Sequence, residues 1–131
     1  MQRPPYRILV VDDVADQAQS FSYVLEASGH RAEFVTDPRN ATIAALSFNP
    51  DLVFLDIGMP HIDGYQLIPM LRGVLGHRVP IVALTAYGAA EDRERTRKAG
   101  FDAHVLKAED PDILEATVST LLGDRGRRAP N

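Results

Sequence analysis

The run Leu52-Val53-Phe54-Leu55 ends on Asp56 and passes into Ile57-Gly58-Met59-Pro60-His61-Ile62-Asp63-Gly64, so a carboxylate follows a stretch with no polar alternation. Such a run suits a strand covered on both faces, as in a parallel sheet between helix layers, and ligands of these sheets bind beyond the carboxyl ends of the strands. Taken alone, Asp56 would suit the entry to a turn equally well. Three further apolar runs end in the same way: Ile8-Leu9-Val10-Val11 on Asp12-Asp13, Ile81-Val82-Ala83-Leu84 on Thr85, and Ala103-His104-Val105-Leu106 on Lys107. In a parallel sheet all four ends share one edge. Three carboxylates held together repel, and burial with like charge raises some of their pKa values, which a divalent cation relieves. Oxygen donors with room for water and phosphate oxygens suit Mg²⁺, or Mn²⁺, rather than zinc or copper. Lys107 adds a cation that balances Asp56 or grips an anion, and Thr85 adds a hydroxyl donor. These are the groups that phosphoryl transfer to an aspartate requires, because the protein's task there is to position and neutralise the transferring oxygens.

The segments between the strands must bring these ends together. From Val14 to Ser28 the residues Val14, Ala18, Phe21, Val24 and Leu25 recur at three and four, the period of an amphipathic helix, and Gly29 is its natural stop. Arg31 to Val35 alternates like a strand nearer an edge. Asp37-Pro38 pairs an N-cap with proline ahead of a helix through Ala41, Ala44, Ala45 and Phe48 that stops before Pro50. Gly64 leads into a helix carrying Leu67, Ile68 and Leu71, in which Pro69 predicts a kink or a late start. A charged helix from about Ala89 to Ala99 closes on Gly100, and Asp110-Pro111 starts a last helix through Ile113, Leu114, Ala116, Val118, Leu121 and Leu122. Strand and helix alternate five times with short connections, the sequence form of a doubly wound α/β fold with a five-stranded parallel sheet. One domain over 1–131 is expected, with a core from about 6 to 122, a lead at 1–5 and a disordered tail at 123–131.

Composition narrows the function classes. The chain has 131 residues and no cysteine, so neither a disulfide framework nor a thiolate metal site arises. A formal charge of -4 speaks against direct nucleic-acid binding, which calls for a basic patch. No run approaches the ~20 apolar residues of a membrane span, and Met1-Gln2-Arg3-Pro4-Pro5 lacks the apolar centre of a signal peptide, so the expected place is the cytoplasm, away from the membrane. No Gly-x-x-x-x-Gly-Lys-Ser/Thr run supports nucleotide hydrolysis.

Four motifs in order, Ile8 to Asp13, Leu55 to Pro60 with Asp63-Gly64, Leu84-Thr85-Ala86, and Val105-Leu106-Lys107, resemble the receiver domains of two-component response regulators over about Arg7 to Leu122. The resemblance implies a flavodoxin-like (βα)5 sandwich with strand order 2-1-3-4-5. It implies that Asp56 accepts a phosphoryl group from a histidine kinase or histidine phosphotransfer protein. It places Mg²⁺ on Asp12, Asp13, Asp56 and the Gly58 carbonyl, with Asp13 the direct ligand ahead of Asp12. Lys107 would contact the phosphoryl oxygens, and Thr85 would carry the phosphorylated state to a partner-binding surface. The phrasing around Thr85-Ala86-Tyr87-Gly88 and Ala99-Gly100-Phe101-Asp102 resembles receivers of hybrid sensor kinases. The downstream partner is not legible.

The chain departs from the family pattern at two places. Ala108 stands where a proline usually follows the lysine, so the Lys107-Ala108 peptide is expected trans, a cis bond before a non-proline costing about 2.5 to 4 kcal/mol. His104 stands three before Lys107, where an aromatic switch residue is common, and its ring would respond to pH as a switch or sit as a half-exposed strand histidine. Gly58 and Tyr87, two beyond Asp56 and Thr85, would tune the lifetime of an acyl phosphate. The other histidines, His30, His61 and His77, fall in predicted loops and are expected at the surface. A non-phosphorylated interaction module with the same fold is the alternative reading. Turnover of external substrates is not expected, since an aspartyl-intermediate phosphohydrolase places a second acid where Gly58 stands.

Overall fold

Successive strand residues point to opposite faces, so uninterrupted apolar runs are buried only where helices cover the sheet on both sides. The computed structural model, which describes residues 5–86 and 90–123, has this arrangement. Strands β1 (Arg7–Val11), β2 (Arg31–Val35), β3 (Leu52–Asp56), β4 (Ile81–Thr85) and β5 (Ala103–Leu106) alternate with helices α1 (Ala15–Ala27), α2 (Ala41–Phe48), α3 (Gly64–Leu75), α4 (Ala90–Ala99) and α5 (Asp112–Val118). All four ladders are parallel, in the order β2-β1-β3-β4-β5 that the resemblance implied. The central strands β3 and β4 are buried at every residue, and the alternating strand β2 takes an edge.

The alternation divides the core in two. Leu9, Val11, Val53, Leu55, Ile81 and Ala83 pack under α2 and α3 with Phe101, while Ile8, Val10, Leu52, Phe54, Val82, Leu84 and Val105 pack under α1 and α5. The same alternation, continued to the last residues of β3 and β4 and one residue beyond β1 and β5, carries Asp12, Asp56 and Lys107 to the α1/α5 side and Thr85 to the side of α3 and α4. The sheet thus sorts the polar ends before any of them makes a contact.

Local signals set the helix ends. Gly29 and Gly100 follow α1 and α4 at φ +99° and +106°, conformations that side chains rarely adopt. Asp37 accepts from Arg39 N at 3.0 Å at a short 3₁₀ turn, Pro38–Asn40, that precedes α2. Asp63 and Gln66 form a reciprocal capping box at the start of α3. Asp110 Oδ1 accepts from Asp112 N at 3.0 Å, and α5 passes at Val118 into a π turn, Ser119–Gly123, in which Leu122 and Gly123 are buried. Helix α3 starts at Gly64 and runs through Pro69, not late as one expectation had it; the proline leaves the Tyr65 carbonyl without its intrahelical donor.

His30 is not the surface residue its loop position suggested. It is 5% exposed, stacked on Tyr6 at 5.5 Å between ring centroids, and its Nε2 lies 2.7 Å from Glu115 Oε1. Tyr6 N donates to His30 Nδ1 at 3.2 Å, so Nδ1 is an acceptor and Nε2–H is the donor to Glu115. Ser28 and Gly29 in the α1–β2 turn are exposed, but His30 at its end is covered by Tyr6 from the chain entering β1 and by Glu115 from α5, which loop position alone cannot convey. Replacing His30 with Ala strands the Tyr6 N–H, and the expected loss of unfolding free energy is about 1–3 kcal/mol, read from the denaturant midpoint at constant slope.

Candidate functional site

At the carboxyl edge of the sheet, Asp12, Asp13 and Asp56 offer carboxylate oxygens that all lie within 4.8 Å of one another. Asp12 is fully buried and Asp56 nearly so, while Asp13 is half-buried. Asp12 and Asp56 are each fixed by a local backbone donor and paired with lysine. Asp12 Oδ1 accepts from Val14 N at 3.0 Å, and Asp56 Oδ1 accepts from Gly58 N at 2.9 Å. Lys107 Nζ lies 3.0 Å from Asp56 Oδ2 and 3.1 Å from Asp12 Oδ2, and donates to Gln17 Oε1 at 2.9 Å. Its backbone N–H donates to the Thr85 carbonyl at 2.8 Å, extending the β4–β5 ladder one residue and holding Lys107 over the carboxylates. A turn closed by Glu109 N to Leu106 O at 3.2 Å then contains Ala108.

Charge and burial pull against each other here. Burial pushes the Asp12 carboxyl up to about 6, and the Asp56 charge adds to the rise while Val14 N–H and Lys107 oppose it. Asp13 is also raised, first by burial and then by Asp56. Burial works to lower the Lys107 pKa, but Asp56 and Asp12 together outweigh it and the ammonium is held more firmly charged. One atom is left over. Asp12 Oδ2 is buried and has no hydrogen-bond partner beyond its ion pair with Lys107 Nζ at 3.1 Å. An unsatisfied buried carboxylate oxygen beside two further carboxylates fits a hard divalent cation, and the all-oxygen donor set fits Mg²⁺.

A pocket of about 470 Å³ opens over Asp56, walled by Asp13, Thr85 and Lys107 and, from α3 and α4, by Tyr65 and Arg95. Thr85 is buried, on the side away from Lys107. In β5, His104 is half-buried with Nδ1 3.2 Å from Thr96 Oγ1. Thr96 is itself buried and donates its hydroxyl proton to the Arg93 carbonyl at 2.8 Å, so the His104 contact runs from Nδ1–H to the threonine oxygen and ties β5 to α4. Exposed His61 and His77 are as expected.

The structure therefore gathers Asp12, Asp13, Asp56 and Lys107 within contact, puts Thr85 and Gly58 on the same pocket, and places His104 one layer away against α4. Tyr87 lies outside the described residues. Sequence reasoning missed Gln17, Tyr65 and Arg95. Gln17 was within reach of it, since it stands four residues after Asp13, one helical turn along.

A family model described as the response regulator receiver domain matches residues 8–119. The chain belongs to this family. Among curated proteins, this receiver domain is 35% identical over 123 residues to the transcriptional regulatory protein PrrA of Mycobacterium tuberculosis, covering 94% of the chain and 52% of that protein. It is 38% identical over 120 residues to the response regulator Rre1 of Synechocystis, covering 90% of the chain and 52% of that protein. The chain thus spans about half the length of the curated relatives it matches. A solved structure, the signal receiver domain of a signal transduction histidine kinase from Syntrophus aciditrophicus, superposes with a TM-score of 0.80 at 30% identity, covering 96% of each chain. Receiver domains bind Mg²⁺ at an acidic pocket, and response regulators are phosphorylated by histidine kinases. No helix among the described residues is long and apolar enough to cross a membrane.

Proposed function

We propose that this receiver domain takes a phosphoryl group onto Asp56 from a phosphohistidine of a histidine kinase or phosphotransfer protein, and that the acyl phosphate switches a partner-binding surface. The observation that carries this reading is the pairing of Asp56 with Lys107 at 3.0 Å beside the unsatisfied Asp12 Oδ2. An Asp56 oxygen attacks phosphorus, a P–O bond forms, and the P–N bond of the donor breaks with its electron pair returning to the imidazole. Water later attacks the same phosphorus, releasing inorganic phosphate and restoring the carboxylate. Asp12, Asp13, Asp56 and the Gly58 carbonyl would hold Mg²⁺, which supplies charge neutralisation at the phosphoryl oxygens. Lys107 grips one of these oxygens, having been held over Asp56 beforehand. Thr85, on the α4 side of the pocket, offers its hydroxyl to the phosphoryl group and so reports it towards α4 and β5, where His104 is tied to Thr96. Gly58 and Tyr87 set the access of hydrolytic water. The whole process belongs to the domain's own cycle rather than to turnover of an external substrate.

The test is incubation with Mg²⁺ and acetyl phosphate, read by intact mass. A single phosphoryl adduct is expected on the native chain and none on Asp56→Asn. An unchanged adduct on Asp56→Asn would move the acceptor elsewhere, and no adduct on either would leave a receiver fold that acts without phosphorylation.

A further inference from the structure

Two cations stand on the wall of the Asp56 pocket among its described lining residues, Lys107 from the end of β5 and Arg95 from α4. Lys107 is engaged with Asp56, Asp12 and Gln17. Arg95 is engaged differently: its guanidinium carbon lies 4.0 Å from the centroid of the Tyr65 ring. That ring is well seated, at the first turn of α3 and edge-on to Phe101 at 6.1 Å and 89°. Burial raises the Tyr65 hydroxyl's pKa, with Asp92 and Asp63 adding to the rise and Arg95 opposing it, so the cation and two carboxylates share this rim.

We propose that Arg95 is a second phosphoryl-binding cation, parked on the Tyr65 ring in the resting domain and drawn onto the aspartyl phosphate when it forms. The proposal rests on the phosphoacceptor reading of Asp56 and concerns how the product is neutralised. Transfer replaces the Asp56 charge with about two negative charges on the phosphoryl group. Asp12 and Asp13 contribute two more, and Lys107 with a divalent cation offsets three. One negative charge remains, and Asp63 and Asp92 on the rim deepen the excess. A cation–π contact at an exposed rim is weaker than a charge-assisted contact with a phosphoryl oxygen, so the excess charge is enough to move the guanidinium. Helix α4 need not travel with it, because Thr96 next to Arg95 is buried and bonded to His104 and to the Arg93 carbonyl. The long, exposed Arg95 side chain swings from an anchored backbone.

Beryllofluoride, a mimic of the phosphoryl group, gives a binding readout with Mg²⁺ present, alongside Tyr65 ring resonances by NMR. On the native domain, binding of the mimic is expected to shift the Tyr65 ring signals as the guanidinium leaves. Arg95→Ala is expected to bind the mimic about fivefold more weakly, with a loss that shrinks as salt is added, and to show no such Tyr65 response. Arg95→Lys, which keeps the charge but not the planar fork, should lose less affinity than Arg95→Ala, which separates charge from helix packing. Equal affinities for the native domain and Arg95→Ala would overturn the proposal while leaving Asp56 as acceptor. A native domain that forms no Asp56 adduct with acetyl phosphate and binds no mimic would overturn the acceptor reading and this proposal together.

Discussion

Lys107→Ala is expected to move two measured quantities in opposite directions: the rate of Asp56 phosphorylation falls by about 10²- to 10³-fold, while Mg²⁺ binds about tenfold more tightly. Both effects follow from one geometry. The ammonium sits 3.0 Å from Asp56 Oδ2 and 3.1 Å from Asp12 Oδ2, so in the resting domain it neutralises the same carboxylates that a metal would use. Removing it takes away a competing positive charge, and the buried Asp12, already raised to about 6 by burial, gains most from a replacement cation. The phosphoryl group has the reverse need. It brings new negative charge to a place where a preorganised cation costs no rearrangement at the moment of transfer. Isothermal titration with Mg²⁺ and intact-mass time courses with acetyl phosphate read the two effects separately. An unchanged Mg²⁺ affinity would mean that Lys107 does not engage Asp12 and Asp56 in solution. An unchanged rate would remove it from the phosphoryl contacts.

The residues that were legible in the sequence are those whose position depends only on strand order and register. Asp12, Asp13, Asp56, Thr85 and Lys107 each end an apolar run, and a parallel sheet must put such ends on one edge, so period and length placed them there while the family resemblance supplied the strand order that makes them neighbours. The division of Thr85 from Asp12, Asp56 and Lys107 across the sheet was also implicit in the two-residue alternation. Residues on helix faces were harder. Arg95 lies in Ala90–Ala99, where between Asp92 and Lys98 Thr96 alone is buried among charged residues, so no apolar stripe over those positions tells which side meets the sheet and which leans over the pocket. Tyr65 reads as an ordinary core aromatic of α3, and its place under Arg95 depends on the distance between two helices that sequence does not encode locally. His30 shows the complementary failure: a side chain at the end of an exposed turn is covered by Glu115, 85 residues further along the chain.

Glycines in one stretch of chain divide sharply by what lies against them, and substituting them is expected to separate scaffold from chemistry. Gly64 opens α3 directly behind β3, the strand that ends on Asp56. A Cβ there would stand 2.7 Å from Ile57 Cα and 2.9 Å from the Asp56 carbonyl oxygen, both backbone atoms that cannot turn aside. Gly64 N also donates to the Ile57 carbonyl at 3.3 Å, so the helix start is pressed onto the exit of β3. Gly64→Ala is therefore expected to destabilise by about 1–3 kcal/mol, or roughly 4–12 °C in Tm, despite alanine's better helix propensity. Gly73, within the same helix, has nothing within 4 Å of a Cβ, and Gly73→Ala should gain about 0.5–1 kcal/mol. Gly58 lies between these cases: its Cβ would meet Asp56 Oδ1 at 3.7 Å, an ordinary contact, so Gly58→Ala should leave Tm nearly unchanged and act on the lifetime of the acyl phosphate instead. Relief of the Gly64 clash must push the Ile57–Asp63 loop away from the sheet, and that loop carries the Gly58 N–H that holds Asp56 Oδ1 at 2.9 Å. The Gly64→Ala domain should consequently lose acetyl phosphate reactivity at temperatures where it is still folded. Full reactivity together with an unchanged Tm would show that the helix start and β3 are not in the contact described.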